Sequence, residues 1–245
     1  MKNDFVKRML YHFLGLLLMT FGIALSSKGG VGVASVSTIA FAGSRLTPLT
    51  FGTCSSLFHG FCFISQIVIT RRFTARSLLQ IPMVYLFGFF LDIFNNLLTF
   101  AAANVIVGCL LVAAATPVIS LGLRVILGAD FAMAPPDALA RTIGDKAGWP
   151  MAKAKFIFDV AVVSASAALT WVFLGSPFVA VGFGTVITML MTGPMIGFFV
   201  KLFPFFDVAK KAGADEAAAD DDASDDAASN EAVIDEAAAD EADAD

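Results

Sequence analysis

The sequence has little of what enzymes and metal centres are built from. Its 245 residues include three cysteines, two histidines, two tryptophans and two tyrosines. Cys54, Cys62 and Cys109 form no C-x-x-C pair and fall in apolar runs, where a buried free thiol behaves as a small hydrophobe. His12 and His59 are too few and too far apart in the chain to make a metal site by themselves. There is no H-E-x-x-H, no G-x-S-x-G and no P-loop, and the glycine pairs lack the strand–turn–helix context of a nucleotide loop. No enzyme and no cofactor is expected.

Charge is scarce too, at 15% of residues, where ordinary soluble domains carry about 25%. Apolar length takes its place: 58% of residues are hydrophobic, 25 are Phe, and the mean hydropathy is +0.80. Several runs reach the roughly 20 residues a helix needs to cross the hydrocarbon layer, and none alternates as a barrel strand would. The expected fold is all-α: a polytopic membrane protein of six transmembrane helices, arranged as two inverted three-helix repeats with short broken or re-entrant helices, plus a disordered acidic tail.

The net charge of −5 is set by that tail. Ala212–Asp245 holds 14 of the 21 Asp and Glu and no Lys or Arg; the remainder carries +9. A basic membrane body is no argument for nucleic acid, and none is expected as a partner. The tail has almost nothing to bury and its acids repel one another, which predicts disorder.

In chain order, Met9–Ser27 is the first expected span. A cleaved signal peptide is the alternative, because Ala24-Leu25-Ser26 follows a basic start, but the apolar stretch is long for one. Lys28–Thr50 is rich in Gly, Ser and Thr, and Val33–Phe41 within it reads as a short re-entrant helix. Phe51–Thr70, Leu78–Phe100, Val105–Leu127, Met151–Leu174 and Phe178–Val200 are the next five spans. Gly128–Pro150 is a second broken connection, with a short helix expected over Ala138–Ile143. The membrane domain is 1–203, its repeats about 9–100 and 105–203, and the tail 212–245.

Orientation follows from the basic residues. With the N-terminus in the cytoplasm, fourteen of the sixteen Lys and Arg fall on the inner side, and only Lys28 and Arg45 fall outside. Both termini are then cytoplasmic. Three spans per half make the second half enter in the opposite sense, the inverted-repeat plan that places sites between halves. At an offset of 100, residues 21–60 and 121–160 share the layout but only Gly22/Gly122, Ala34/Ala134, Ala40/Ala140 and Phe58/Phe158 as identities.

The segments FGIAL, GVGVASVSTIA and LTFGTCSSLFHG, then GADFAMAPPDALA and GFGTVITMLMTGPMIGFF, together resemble the YczE/YyaS/YitT group of bacterial integral membrane proteins. The resemblance covers about residues 10–203 and omits the tail. It implies this architecture, a bacterial inner or plasma membrane and a transport-like role, and no particular substrate. In the first half, Ser35 and Ser37 stand where the second has Pro135 and Asp137.

Ionisable groups within spans are costly and raise functional hypotheses. Asp92, Asn95 and Asn96 share one helical face and suit either a substrate or proton site or an inter-helix hydrogen-bond cluster, with Arg124 a partner for Asp92. Lys155 and Asp159 can pair along a helix, and Asp159 aligns with His59. That pair is either structural or part of a site. Arg124 either joins the site or snorkels to the rim. Asp137 is an N-cap by type, or its helix end faces an anionic ligand. Asp130 is a loop charge or a site group, and His59 a core histidine or a proton carrier. The expected site lies between segments 29–47 and 128–150. The expected partners are membrane lipids, a small-molecule solute, and a protein partner or second copy of the chain. A non-transporting scaffold or accessory subunit is the alternative function.

Overall fold

The computed structural model describes residues 2–71, 73 and 75–203. The expected acidic tail lies outside them. Helix α1 spans Lys2–Ser27. A 3-10 turn, Ser35–Ser37, runs into α2 (Thr38–Leu46), followed by α3 (Phe51–Thr70) and α4 (Ala75–Leu97). The second half comprises α5 (Val105–Ala129), α6 (Pro135–Ala147), α7 (Met151–Leu174) and α8 (Phe183–Leu202). No strand occurs among the described residues. Helices α1, α3, α4, α5, α7 and α8 are long and apolar enough to cross a membrane. Leu57, Phe61, Ile64 and Val68 form an exposed stripe along α3, at the spacing of one helical face. Such a stripe suits hydrocarbon, where helices satisfy their own backbone.

Local chemistry moves several expected boundaries. The first apolar span begins at Phe5 rather than Met9, within a helix that starts at Lys2, since no Gly or Pro interrupts residues 2–8. The first short helix lies later than Val33–Phe41 because Ala34 is still extended (φ −54°, ψ 141°). Helix α6 is longer than Ala138–Ile143. It starts on Pro135, where a missing N–H costs nothing, and stops at Gly148 in the left-handed region (φ 66°). Its N-cap is therefore Ala134, not Asp137, which sits in the first turn. Helix α8 starts at Phe183, not Phe178, because residues 177–180 form a turn and Gly182 is extended.

The core of the molecule is the crossing of α1 and α5. Gly15 meets the backbone of Gly122, Gly22 that of Ala115 and Ile119, and Gly29 that of Gly108. Both series step by seven residues and run in opposite directions, so the two helices are antiparallel. A Cβ at Gly122 would lie 2.5 Å from Met19 N and 2.7 Å from Gly15 O. Small residues here permit an approach that side chains would block.

The other helices pack around this pair. Helix α4 lies on α1 and α8 on α5; α2 lies on α3 and α6 on α7; α6 also meets α3 and α2 meets α7. One relation has no counterpart. Gly52, Ser56 and Gly88 bring α3 and α4 into close contact, whereas α7 and α8 share no comparable interface. The loop 28–34 is tied down by Ala102 N to Lys28 O (2.9 Å), Gly184 N to Val31 O (2.7 Å) and Val33 N to Ala180 O (3.3 Å).

Candidate functional site

The space between α7 and α8 is a cavity of about 400 Å³. The N-terminal turns of both short helices open into it, through Ala34–Ser37 on one side and Ala134, Pro136 and Asp137 on the other. Ala34 and Ala134 have nearly the same backbone (φ −54°, ψ 141° and φ −59°, ψ 136°), and neither helix start has a side-chain cap. Alanine is a poor N-cap, so first-turn N–H groups are left without a side-chain acceptor. From the cavity, α2 runs to the end of the bundle where α3 begins, and α6 to the opposite end, where α7 begins.

Polar groups converge on one wall. Lys155 Nζ lies 2.8 Å from Asp137 Oδ1 and 2.8 Å from Asp159 Oδ1. Ser35 Oγ donates to Asp159 Oδ2 at 3.3 Å. These three charged side chains are 15–30% exposed, so each is partly withdrawn from water while still reaching the cavity. Two carboxylates against one ammonium leave the cluster one negative charge in excess when all are ionised. Asp137 sits where a helix N-terminus favours an anion. His59, midway along α3, also lines the cavity, its ring 4.5 Å from that of Phe87. Thr188 and Thr192 complete the polar wall from α8. Apolar side chains from α1, α5 and α8 form most of the rest, a common pattern for small-molecule pockets.

Of the residues singled out in sequence, Asp137, Asp159 and His59 meet in this cavity. Asp130 is exposed, ends α5 in the left-handed region (φ 43°) and lines an adjoining space of about 50 Å³ beside Asp137. Arg124 does not line the cavity; its guanidinium lies at the end of α8. Arg124 is 2% exposed, and its Nη2 donates to Phe203 O at 3.4 Å. Asp92 is not its partner. Asp92 Oδ2 accepts from Thr50 Oγ1 (2.5 Å) and Oδ1 from Gly52 N (2.6 Å). Asp92, Asn95 and Asn96 line a separate polar cavity of about 340 Å³ at the end of the bundle where α3 begins.

Thr188 and Thr192 gave no sequence signal, because hydroxyls are common and cheap in membrane helices when they bond to their own backbone; Ser35 was legible only as the counterpart of Pro135. Lys155 was legible as a partner of Asp159, but its second bond, to Asp137, depends on how α6 folds back on α7. Cys54 and Cys62 are buried, Cys109 is half-buried, and all three are free thiols. Among the described residues no cluster of three or more His, Cys, Asp or Glu side chains has the spacing of a metal site.

Residues 6–201 match a family model described as a family of unknown function (DUF6198). The chain is also similar to the protein described as "Uncharacterized membrane protein YczE" of Bacillus subtilis (strain 168). The two are 27% identical over 200 residues, a match covering 81% of this chain and 87% of that protein. No solved structure matches the chain.

Proposed function

We propose that this membrane protein, which belongs to the family of unknown function DUF6198, binds and moves a small solute between two inverted repeats and catalyses no covalent change. The observation that carries this reading is the cavity between α7 and α8. Its wall takes the uncapped starts of both short helices, and its polar groups come from both halves of the chain. Broken segments whose helix ends face a shared site are a recurring device of transporters.

The inverted repeat is supported by the antiparallel α1–α5 seam and the paired contacts around it. Ser35–Asp159 is the polar link between the halves at the cavity, while Lys155–Asp137 and Lys155–Asp159 hold α6 to α7. In this mechanism a solute group competes for one of these partners. The Ser35–Asp159 link breaks as one half rocks against the other, and the cavity opens to the opposite face.

For orientation, Lys7, Arg8, Arg71, Arg141, Lys146, Lys153 and Lys201 belong to helix ends on one side of the bundle, and Lys28 and Arg45 to the other. The positive-inside bias makes the first side cytoplasmic, with both termini there, in a bacterial cell membrane.

A second reading has its own support. Gly193 and Gly197 on α8 have nothing within reach, and a small-residue helix face left open suits a partner helix. In that reading the chain is a scaffold or accessory subunit. The deciding experiment is solute flux in proteoliposomes across a broad panel, comparing wild type with Asp159→Asn and Lys155→Met. Flux in wild type, reduced at least tenfold in both variants at equal reconstitution, supports transport. No flux for any solute from folded wild type, or flux indifferent to both substitutions, overturns it.

A further inference from the structure

We infer that the polar cavity where α1 and α4 end and α3 begins binds a small oxyanion, a carboxylate or phosphate group, between Lys28 and Arg45. The two cations line the same space of about 340 Å³, together with Ser44, Asn95, Asn96 and Asp92. Asp92 is the acidic group in that wall, and both its oxygens are engaged elsewhere. They accept from Thr50 Oγ1 and Gly52 N and so tie α4 to the start of α3. Among the described residues neither Lys28 nor Arg45 makes an ion pair; Arg45 lies over the Phe41 ring at 4.8 Å. Two like charges thus share a cavity, and its resident carboxylate pairs with neither.

Burial, and then the nearby Arg45, hold the Lys28 amine below the ordinary lysine value. A bound anion reverses the repulsive term. Hydrogen-bond donors stand ready beside the charges: Asn95 Oδ1 accepts from Ser27 Oγ at 3.3 Å, which leaves the Asn95 amide N–H groups for a ligand. The wall then offers +2 from Lys28 and Arg45 against the locked −1 of Asp92, a balance suited to a singly charged anion.

The charge map of the whole chain points the same way. Among the described basic residues at helix ends, seven fall on one side by the orientation given above, and the two on the other are Lys28 and Arg45. Either alone is accounted for as a cation near a helix C-terminus, Lys28 following α1 and Arg45 in the last turn of α2. Helix ends do not require the two to converge on one polar cavity. This site lies apart from the Asp137–Lys155–Asp159 cluster, and its occupancy is independent of whether the chain moves a solute.

The test is equilibrium binding of acetate and of inorganic phosphate to the purified full-length chain, followed by calorimetry and thermal shift at constant ionic strength. It is run in detergent and in nanodiscs of neutral or anionic phospholipid. Saturable binding in wild type is expected, weakened roughly ten- to hundredfold by Lys28→Gln or Arg45→Gln, the loss of one hydrogen bond to a charged group. Lys28→Arg, which keeps the charge, should retain binding. If anionic nanodiscs suppress phosphate binding in wild type but not in Lys28→Gln, a lipid headgroup is the natural source of the anion. If they do not, the source is a free anion. Absence of saturable binding in wild type, together with no effect of anionic lipid, overturns the site. So does binding that is unchanged in a folded Lys28→Gln/Arg45→Gln double variant.

Discussion

Ser35 Oγ donates to Asp159 Oδ2 at 3.3 Å, across 124 residues of chain. Ser35 belongs to the turn that leads into α2, Asp159 to the N-terminal half of α7, and the bond closes one wall of the cavity between them. Asp159 is held on its other oxygen by Lys155, which is shared with Asp137. A hydroxyl from one half thereby touches an ion cluster built in the other.

Removing the ammonium from that cluster leaves two partly buried carboxylates facing each other. Lys155→Met should therefore lower unfolding stability by about 3 kcal/mol, the usual order for breaking a buried ion pair. Asp137→Asn should cost less, because Lys155 keeps Asp159. Thermal unfolding of both variants in detergent checks the order; equal or reversed losses would show that the cluster is not shared as described.

The glycine seam gives a contrast within one chemistry. At Gly122 an added Cβ meets the backbone of α1, which cannot step aside, so Gly122→Ala should destabilise by roughly 1–3 kcal/mol. At Gly60 nothing lies within 4 Å, and Gly60→Ala should be neutral or gain up to about 1 kcal/mol of helix propensity. The same unfolding measurement separates the two.

Orientation is tested by labelling. In a background lacking the three native cysteines, Leu49→Cys should react with an impermeant thiol reagent added outside intact cells, and Phe73→Cys only after permeabilisation. Both residues are exposed and lie at opposite ends of α3. The reverse pattern would invert the proposed topology.

Anion binding at Lys28 and Arg45 should weaken with alkaline pH. The folded Lys28 pKa lies below 10.5, so the ammonium is lost earlier than from an ordinary lysine. The charged groups that face it are Arg45 and Asp92. For the empty protein the sign is opposite. The unfolded chain binds the Lys28 proton more tightly, so stability rises with pH between the lowered value and 10.5. An acetate titration from pH 7 to 10, over which the ligand keeps one negative charge, reads the first effect, and Lys28→Gln should flatten it.

Much of this molecule was legible in its residues. Phe51–Thr70 and Met151–Leu174 coincide with α3 and α7, since each run is bounded by turn residues and filled by apolar ones. The Pro135-Pro136-Asp137 break marked a helix start, although Asp137 proved to be a first-turn residue rather than the cap. The grouping of Asp92 and Arg124 with Asp137 and Asp159 was not supported. A span shows that a charge is buried, but not which neighbouring helix it faces. That depends on rotation about the helix axis, which the α1–α5 glycine seam and the α3–α4 contact set.

The sequence alone determined the membrane character, the helices, their approximate ends and the imbalance of basic charge, because each is a property of local runs of residues. Only the tertiary structure decided that residues 21–60 and 121–160 share a cavity, that Ser35 and Lys155 complete its polar wall, and that Lys28 and Arg45 share another. Those relations depend on close packing between helices distant in sequence, where a single missing Cβ sets which side chains can meet.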